Sequence, residues 1–159
     1  MEKINIVLKT YRNITRDFIH FKDMFKLIKS NMQSIHEVNE EDTELWIKNL
    51  VDSKDLHVIV ATQKGLVCGY LEYILFDEYN YICEIQIDKK FQGDGITFKS
   101  LIECLVMNLR DVNCNDYTCS INPKNEKSLG VFKYIGFENI DDKTYKIENQ
   151  KLSKYVDLK

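Results

Sequence analysis

A β-like run, Tyr81 to Asp88 (YICEIQID), passes through Phe91-Gln92-Gly93-Asp94-Gly95-Ile96-Thr97 straight into the most regular apolar helix of the chain. In that helix, Ile96 to Leu109, the residues Leu101, Ile102, Leu105, Val106 and Leu109 form one broad stripe, and no proline or glycine interrupts it. A strand that hands over to a helix through glycines makes an anion site. The first N–H groups of a helix lack intrahelical partners, and the peptide dipoles add roughly half a positive charge there. Glycines at 93 and 95 let the backbone approach a bulky phosphate. Two nucleotide motifs are excluded by spacing. The GxxxxGK[ST] loop needs a Lys-Ser/Thr pair that is absent, and GxGxxG lacks its third glycine, since Phe98 stands there. A plain two-glycine turn remains open at this point.

The other segments alternate in type. Ile4 to Tyr11 reads as a half-buried strand, with Ile4, Ile6 and Leu8 on one face. Thr15 to Met32 has helical spacing, capped at Thr15 or Asp17. Asn39 to Val51 is a second helix whose acidic residues Glu40, Glu41 and Asp42 suit the positive end of its dipole. Leu56 to Thr62 and Leu66 to Phe76 read as a hairpin around Gln63-Lys64-Gly65, and Asp77 to Asn80 as a polar break. After the long helix come a strand (Asp116 to Ile121), a helix (Glu126 to Ile135) stopped by Gly136, and two short strands, Phe137 to Ile140 and Thr144 to Glu148. Clustered strands with interspersed helices predict a mixed α/β sheet, largely antiparallel in its first half.

At 159 residues, with one proline and six glycines, the chain has room for a single domain over 1–159 and little for linkers. A net charge of −3 argues against a general nucleic-acid binder. The five cysteines form no CxxC pair, so they read as reduced thiols and no metal is expected. The N-terminal stretch has no run suited to a signal peptide, and no stretch approaches a membrane span. The expected compartment is the cytoplasm, with no membrane partner.

Two stretches together resemble the GNAT superfamily of N-acetyltransferases. Gln92, Gly95 and Thr97 stand at the positions of its acyl-CoA motif [Q/R]xxGx[G/A], with Thr97 a departure from Gly/Ala. Downstream, Asn125, Ser128, Phe132, Gly136 and Phe137 match the family helix N-x-x-[AS]-x-x-x-[YF]-x-x-x-G-F. The resemblance implies an α/β (α+β) fold: a GNAT-like mixed, mainly antiparallel, splayed central sheet flanked by about four helices. It also implies acetyl-CoA as cosubstrate. Backbone groups of Ile85, Gln86 and Ile87 would meet the pantetheine arm. The segment Gln92, Gly93, Asp94, Gly95, Ile96 and Thr97 would hold the pyrophosphate, with the Thr97 hydroxyl a further phosphate donor. Asn125 would sit near the arm.

The implied reaction is direct attack of a primary amine, on a small molecule or peptide, on the thioester. It needs a base, a backbone N–H for the oxyanion, and optionally an acid for the thiolate. Glu84 is the preferred base, with Glu72 a rival, and His20, His36 and His57 scattered elsewhere. The family's usual acid is a tyrosine seven residues after the motif asparagine. Phe132 stands there, and Tyr134 is the substitute candidate. Cys119 reads as a structural thiol. Phe132 keeps a second reading open, a catalytically weak or inactive acyl-CoA-binding module. A homodimer is among the expected assemblies.

Overall fold

The structure, a computed structural model, describes residues 5–32, 39–93 and 95–157. Among the described residues, seven strands form one mixed sheet, in the order β1-β2-β3-β4-β5-β7-β6, accompanied by five α-helices. The chain divides into two compact units, Met1–Glu72 with Glu84–Leu101, and Tyr73–Cys83 with Ile102–Lys159. Among the described residues no helix is long and apolar enough to cross a membrane.

In the first unit, β1 (Val7–Arg12) pairs antiparallel with β2 (His57–Gln63), from Val7 opposite Thr62 to Arg12 opposite His57. Val58, Ile59, Val60 and Ala61 are buried without alternation, as expected of a strand covered on both faces. β2 turns into β3 (Leu66–Leu75) through Lys64 and Gly65, at φ 52° and 80°. Both central residues at positive φ suit the right-handed twist of a hairpin. Helix α1 (Phe21–Met32) is six residues shorter at its start than its spacing predicts. The reason is aromatic. Phe18 and His20 pack on Tyr11 and each other, Phe18 N–H donates to Thr15 O, and the segment closes a turn before the helix begins. Helix α2 (Glu40–Asp52) starts from Asn39 in a reciprocal capping box with Asp42. The predicted β1 residue Ile4 and the base candidate His36 lie outside the described residues.

β4 (Tyr79–Ile87) begins in the second unit and ends in the first. It starts two residues before the sequence pattern suggests. Asn80, read as part of a polar break, is fully buried and exchanges side-chain amide bonds with Asn113 at 2.9 and 3.0 Å. The amide pair satisfies its own polar groups, which is what permits burial. In the second unit β4 pairs in parallel with β5 (Asp116–Ser120), from Tyr79–Asp116 to Ile82–Cys119.

A 3-10 turn, Lys89–Phe91, joins β4 to α3 (Ile96–Leu109). The apolar stripe of α3 is the main core element. Leu101, Ile102, Leu105, Val106 and Leu109 are each at most 2% exposed, each worth about 1.5–3 kcal/mol in burial. The second unit closes with α4 (Glu126–Ile135), the pair β6 (Glu138–Asp141) and β7 (Thr144–Ile147), and α5 (Asn149–Asp157). β7 pairs antiparallel with both β5 and β6. All five cysteines are unbridged.

Candidate active site

The glycine segment opens α3 as its spacing requires. Gly95 sits at φ +71°, a region that side chains resist, and its carbonyl accepts the first helical bond from Lys99 N–H at 3.0 Å. Gly93 and Gly95 are exposed, and a Cβ placed on either would meet nothing within 4 Å. The first turn of α3 carries no acidic side chain. Backbone open on one side, at the positive end of a long helix, is the surface a diphosphate requires. Exposed Lys89 and Lys90, which the motif did not single out, add charge just upstream. Asp94 lies outside the described residues.

Several motif side chains serve the protein rather than solvent. Gln92 Nε2 donates to Ile87 O at 2.8 Å and to Asn31 Oδ1 at 3.4 Å. Asn31 in turn donates to Ile87 O at 3.0 Å and to Gln86 Oε1 at 2.9 Å. The Ile87 carbonyl thus accepts two side-chain amides, on the stretch Ile85 to Ile87 whose backbone the resemblance assigns to the pantetheine arm. Gln92 and Asn31 clamp the end of β4 under the loop. Thr97 is 1% exposed, with Cγ2 turned toward Gly69. Its hydroxyl faces the core, contrary to its expected use as a phosphate donor. A Cβ on Gly69 would sit 3.0 Å from Thr97 Cγ2 and 3.1 Å from Gln86 O, so the fit of Thr97 depends on that glycine. In the second unit, Asn125 Oδ1 accepts Ser128 N–H at 3.2 Å and caps α4. That cap explains the Asn-x-x-Ser spacing on its own.

Glu84 lies on β4 in the first unit, within a polar cluster set in aromatic surroundings. The Tyr70 hydroxyl of β3 donates to Glu84 Oε1. Burial raises the Glu84 pKa, and the bonds from Tyr70, then Trp46 and Gln86, pull it partly back. Glu72, two residues along β3 from Tyr70, is 4% exposed, and its Oε2 is buried without a hydrogen-bond partner. Burial, then the Glu84 charge, pushes its carboxyl well above the usual range. The Tyr70 hydroxyl is likewise raised by burial and by both carboxylates. Trp46 of α2 stacks edgewise on Tyr70 at 6.4 Å and Phe21 at 6.1 Å, and tilts over Phe25 at 5.6 Å. Trp46 and Phe25 beside the cluster are half-exposed. A separate cleft of about 310 Å³, lined by Lys26, Asn31, Asp88 and Lys89 among others, touches none of Tyr70, Glu72 or Glu84.

The remaining candidates are placed otherwise. Tyr134 is 85% exposed on α4, with no buried setting to fix its hydroxyl for proton transfer. Phe132 is buried against Phe137 at a ring distance of 5.0 Å. His20 shares a contact of 3.3 Å with the Tyr11 hydroxyl, and the Nδ1 of His57 is buried on β2. Burial lifts the Cys119 thiol to about 12, which keeps it protonated and unreactive.

A mixed sheet with a parallel step at β4–β5, and a glycine loop opening the helix after β4, define an acyl-CoA-type transferase architecture. The acetyltransferase (GNAT) domain model matches residues 28–150, and the chain belongs to that family. Solved structures share the fold. An acetyltransferase from Thermus thermophilus superposes with a TM-score of 0.70 at 17% identity, covering 93% of this chain and 99% of its own. The PaiA N-acetyltransferase of Thermoplasma acidophilum, in complex with coenzyme A, gives 0.66 at 12% identity, with 90% and 97% covered. An aminoglycoside acetyltransferase from an uncultured soil sample, in complex with sisomicin, gives 0.67 at 16% identity, with 86% and 93% covered. No curated protein sequence matches the chain.

Proposed function

We propose that the protein transfers an acetyl group from acetyl-CoA to a primary amine by direct attack, with Glu84 as the base. The carrying observation is the placement of Glu84: a half-buried carboxyl of raised pKa, held by Tyr70, on the strand that leads into the glycine loop. The open backbone at Gly93 and Gly95, the α3 dipole and the nearby lysines would hold the diphosphate, and backbone of Ile85, Gln86 and Ile87 on β4 would meet the arm. The compartment we propose is the cytoplasm.

Acetyl-CoA supplies the activated acyl carbon and a thiolate leaving group. Tyr70 fixes the Glu84 carboxylate, which would receive a proton from the acceptor ammonium. The neutral nitrogen then forms its bond to the acyl carbon as the C–S bond breaks, and the second N–H proton ends on the departing thiolate. A thiol of pKa about 8.5 leaves readily as its anion, so Phe132 at the acid position is compatible with turnover. Glu84 works in its ionised form, so kcat/KM rises with pH through its raised pKa.

Release of free thiol from acetyl-CoA across an amine panel tests this reading. Glu84→Gln is expected to lower kcat about 10²–10⁴-fold while leaving the CoA dissociation constant unchanged. Calorimetry that detects no CoA or acetyl-CoA binding at millimolar concentration would overturn it. Binding without thiol release from any amine would leave the binding-module reading instead.

A further inference from the structure

We propose that Glu72, with Glu84 and the ring of Trp46, forms an acceptor subsite that takes an alkylammonium and rejects amines carrying a carboxylate beside the nitrogen. The inference rests on the transferase reading above and narrows its acceptor. Three side chains from three elements converge: Glu72 of β3, Glu84 of β4 and Trp46 of α2. Glu72 is nine-tenths buried, and its Oε2 is buried without a hydrogen-bond partner. Such a carboxylate oxygen carries a desolvation cost that a ligand donor would relieve.

Every described charge acting on this cluster is negative or neutral. Tyr70 and Glu84 face Glu72, and Trp46, Gln86 and Tyr70 face Glu84. No lysine, arginine or histidine is among the groups described as acting on them. On β2 the titratable side chain is His57, whose described charge acts on Asp55. On α1 the charged residues Lys22, Asp23, Lys26 and Lys29 are exposed. The two carboxyl charges disfavour each other, so a cation between them favours ionisation of both. An ammonium lets both ionise and frees Glu84 as the base. The half-exposed faces of Trp46 and Phe25 suit the hydrocarbon chain that follows, and attract cationic charge themselves. An α-amino acid would bring a third carboxylate into the same poorly solvated space, with no cation to receive it.

Trp46 is the only tryptophan, so its emission reports on the subsite without any turnover. Phenethylamine and phenylalanine differ by that carboxylate alone and are titrated against the full chain with excitation at 295 nm. Phenethylamine is expected to bind roughly 10–100-fold tighter, the range for one repulsive charge at short distance and intermediate dielectric. Glu72→Gln should collapse the ratio toward one, and Glu72→Asp should retain most of it. Equal affinities in the wild type, an unchanged ratio in Glu72→Gln, or no emission change with either compound overturns the proposal. A thermal melt of each variant checks folding. Because the readout is binding, loss of acetyl transfer would sink the transferase reading without deciding this one.

Discussion

Phe132 shows how one side chain separates packing from chemistry. It stands at the Tyr-or-Phe position of the motif helix and is 6% exposed, with the edge of Phe137 at an interplanar angle of 85°. A hydroxyl added at its ring tip enters that packed volume, and an unpaired buried hydroxyl costs about 1–3 kcal/mol. Phe132→Tyr is therefore expected to lower the melting temperature by about 2–4 °C per kcal/mol lost and to leave kcat unchanged. A tenfold gain in thiol release would show that the missing acid limits the reaction. At this scale the sequence was legible where a residue type carries its own conformational demand. Gly95 at φ +71° and the Asn125 cap of α4 are such cases. It was not legible where meaning depends on a neighbour from another strand. Glu84 could be singled out from its strand, but its neighbours Tyr70, Glu72 and Trp46 come from two other elements, and no spacing along the chain encodes their meeting.

The step from β4 to α3 depends on β3 as well. Gly69 lets three elements approach closely: a Cβ there would lie 3.0 Å from Thr97, 3.1 Å from the Gln86 carbonyl and 3.4 Å from Leu101. The Gln86 carbonyl is backbone and cannot step aside, so the helix end must move. Gly69→Ala is expected to cost about 1–3 kcal/mol by overpacking and to weaken CoA binding, because Thr97 stands in the first turn of α3. Gly93→Ala, with nothing within 4 Å of the added methyl, should leave stability within about 0.5 kcal/mol. A calorimetric comparison of the two separates packing from open surface, and equal CoA affinities in both would refute the coupling. Long periodic elements such as α3 and α4 were readable because their apolar stripes repeat. α5 was not, since only Leu152 and Val156 of its nine residues are buried and the rest is polar. The early part of α1 failed for the opposite reason: its apolar residues have helical spacing, but Phe18 is taken up by Tyr11 and His20.

Across the whole molecule, the buried carboxyls make stability fall as pH rises. Glu72 and Glu84 both have folded pKa values above the ordinary 4.5. Between that value and their folded ones, the native state holds protons that the unfolded chain has released, so unfolding becomes easier with each step in pH. Their contribution is fully favourable below about 4.5 and is lost as pH climbs through the folded values. The exposed carboxyls with lowered pKa, Asp17 through Thr15 and Asp55 through Arg12, act in the other direction. Their effect is confined to pH below the ordinary 3.8, so the two trends do not overlap at neutral pH. Glu72→Gln removes the carboxyl with the stronger shift, and with it most of that slope. Its melting temperature should exceed that of the wild type by more at pH 8 than at pH 5. A saturating alkylammonium should produce the same trend in the wild type, since an ammonium compensates the charge that the substitution deletes. A wild-type difference that stays constant from pH 5 to pH 8 would mean that Glu72 is solvated, and that the buried pair does not govern how this fold responds to pH.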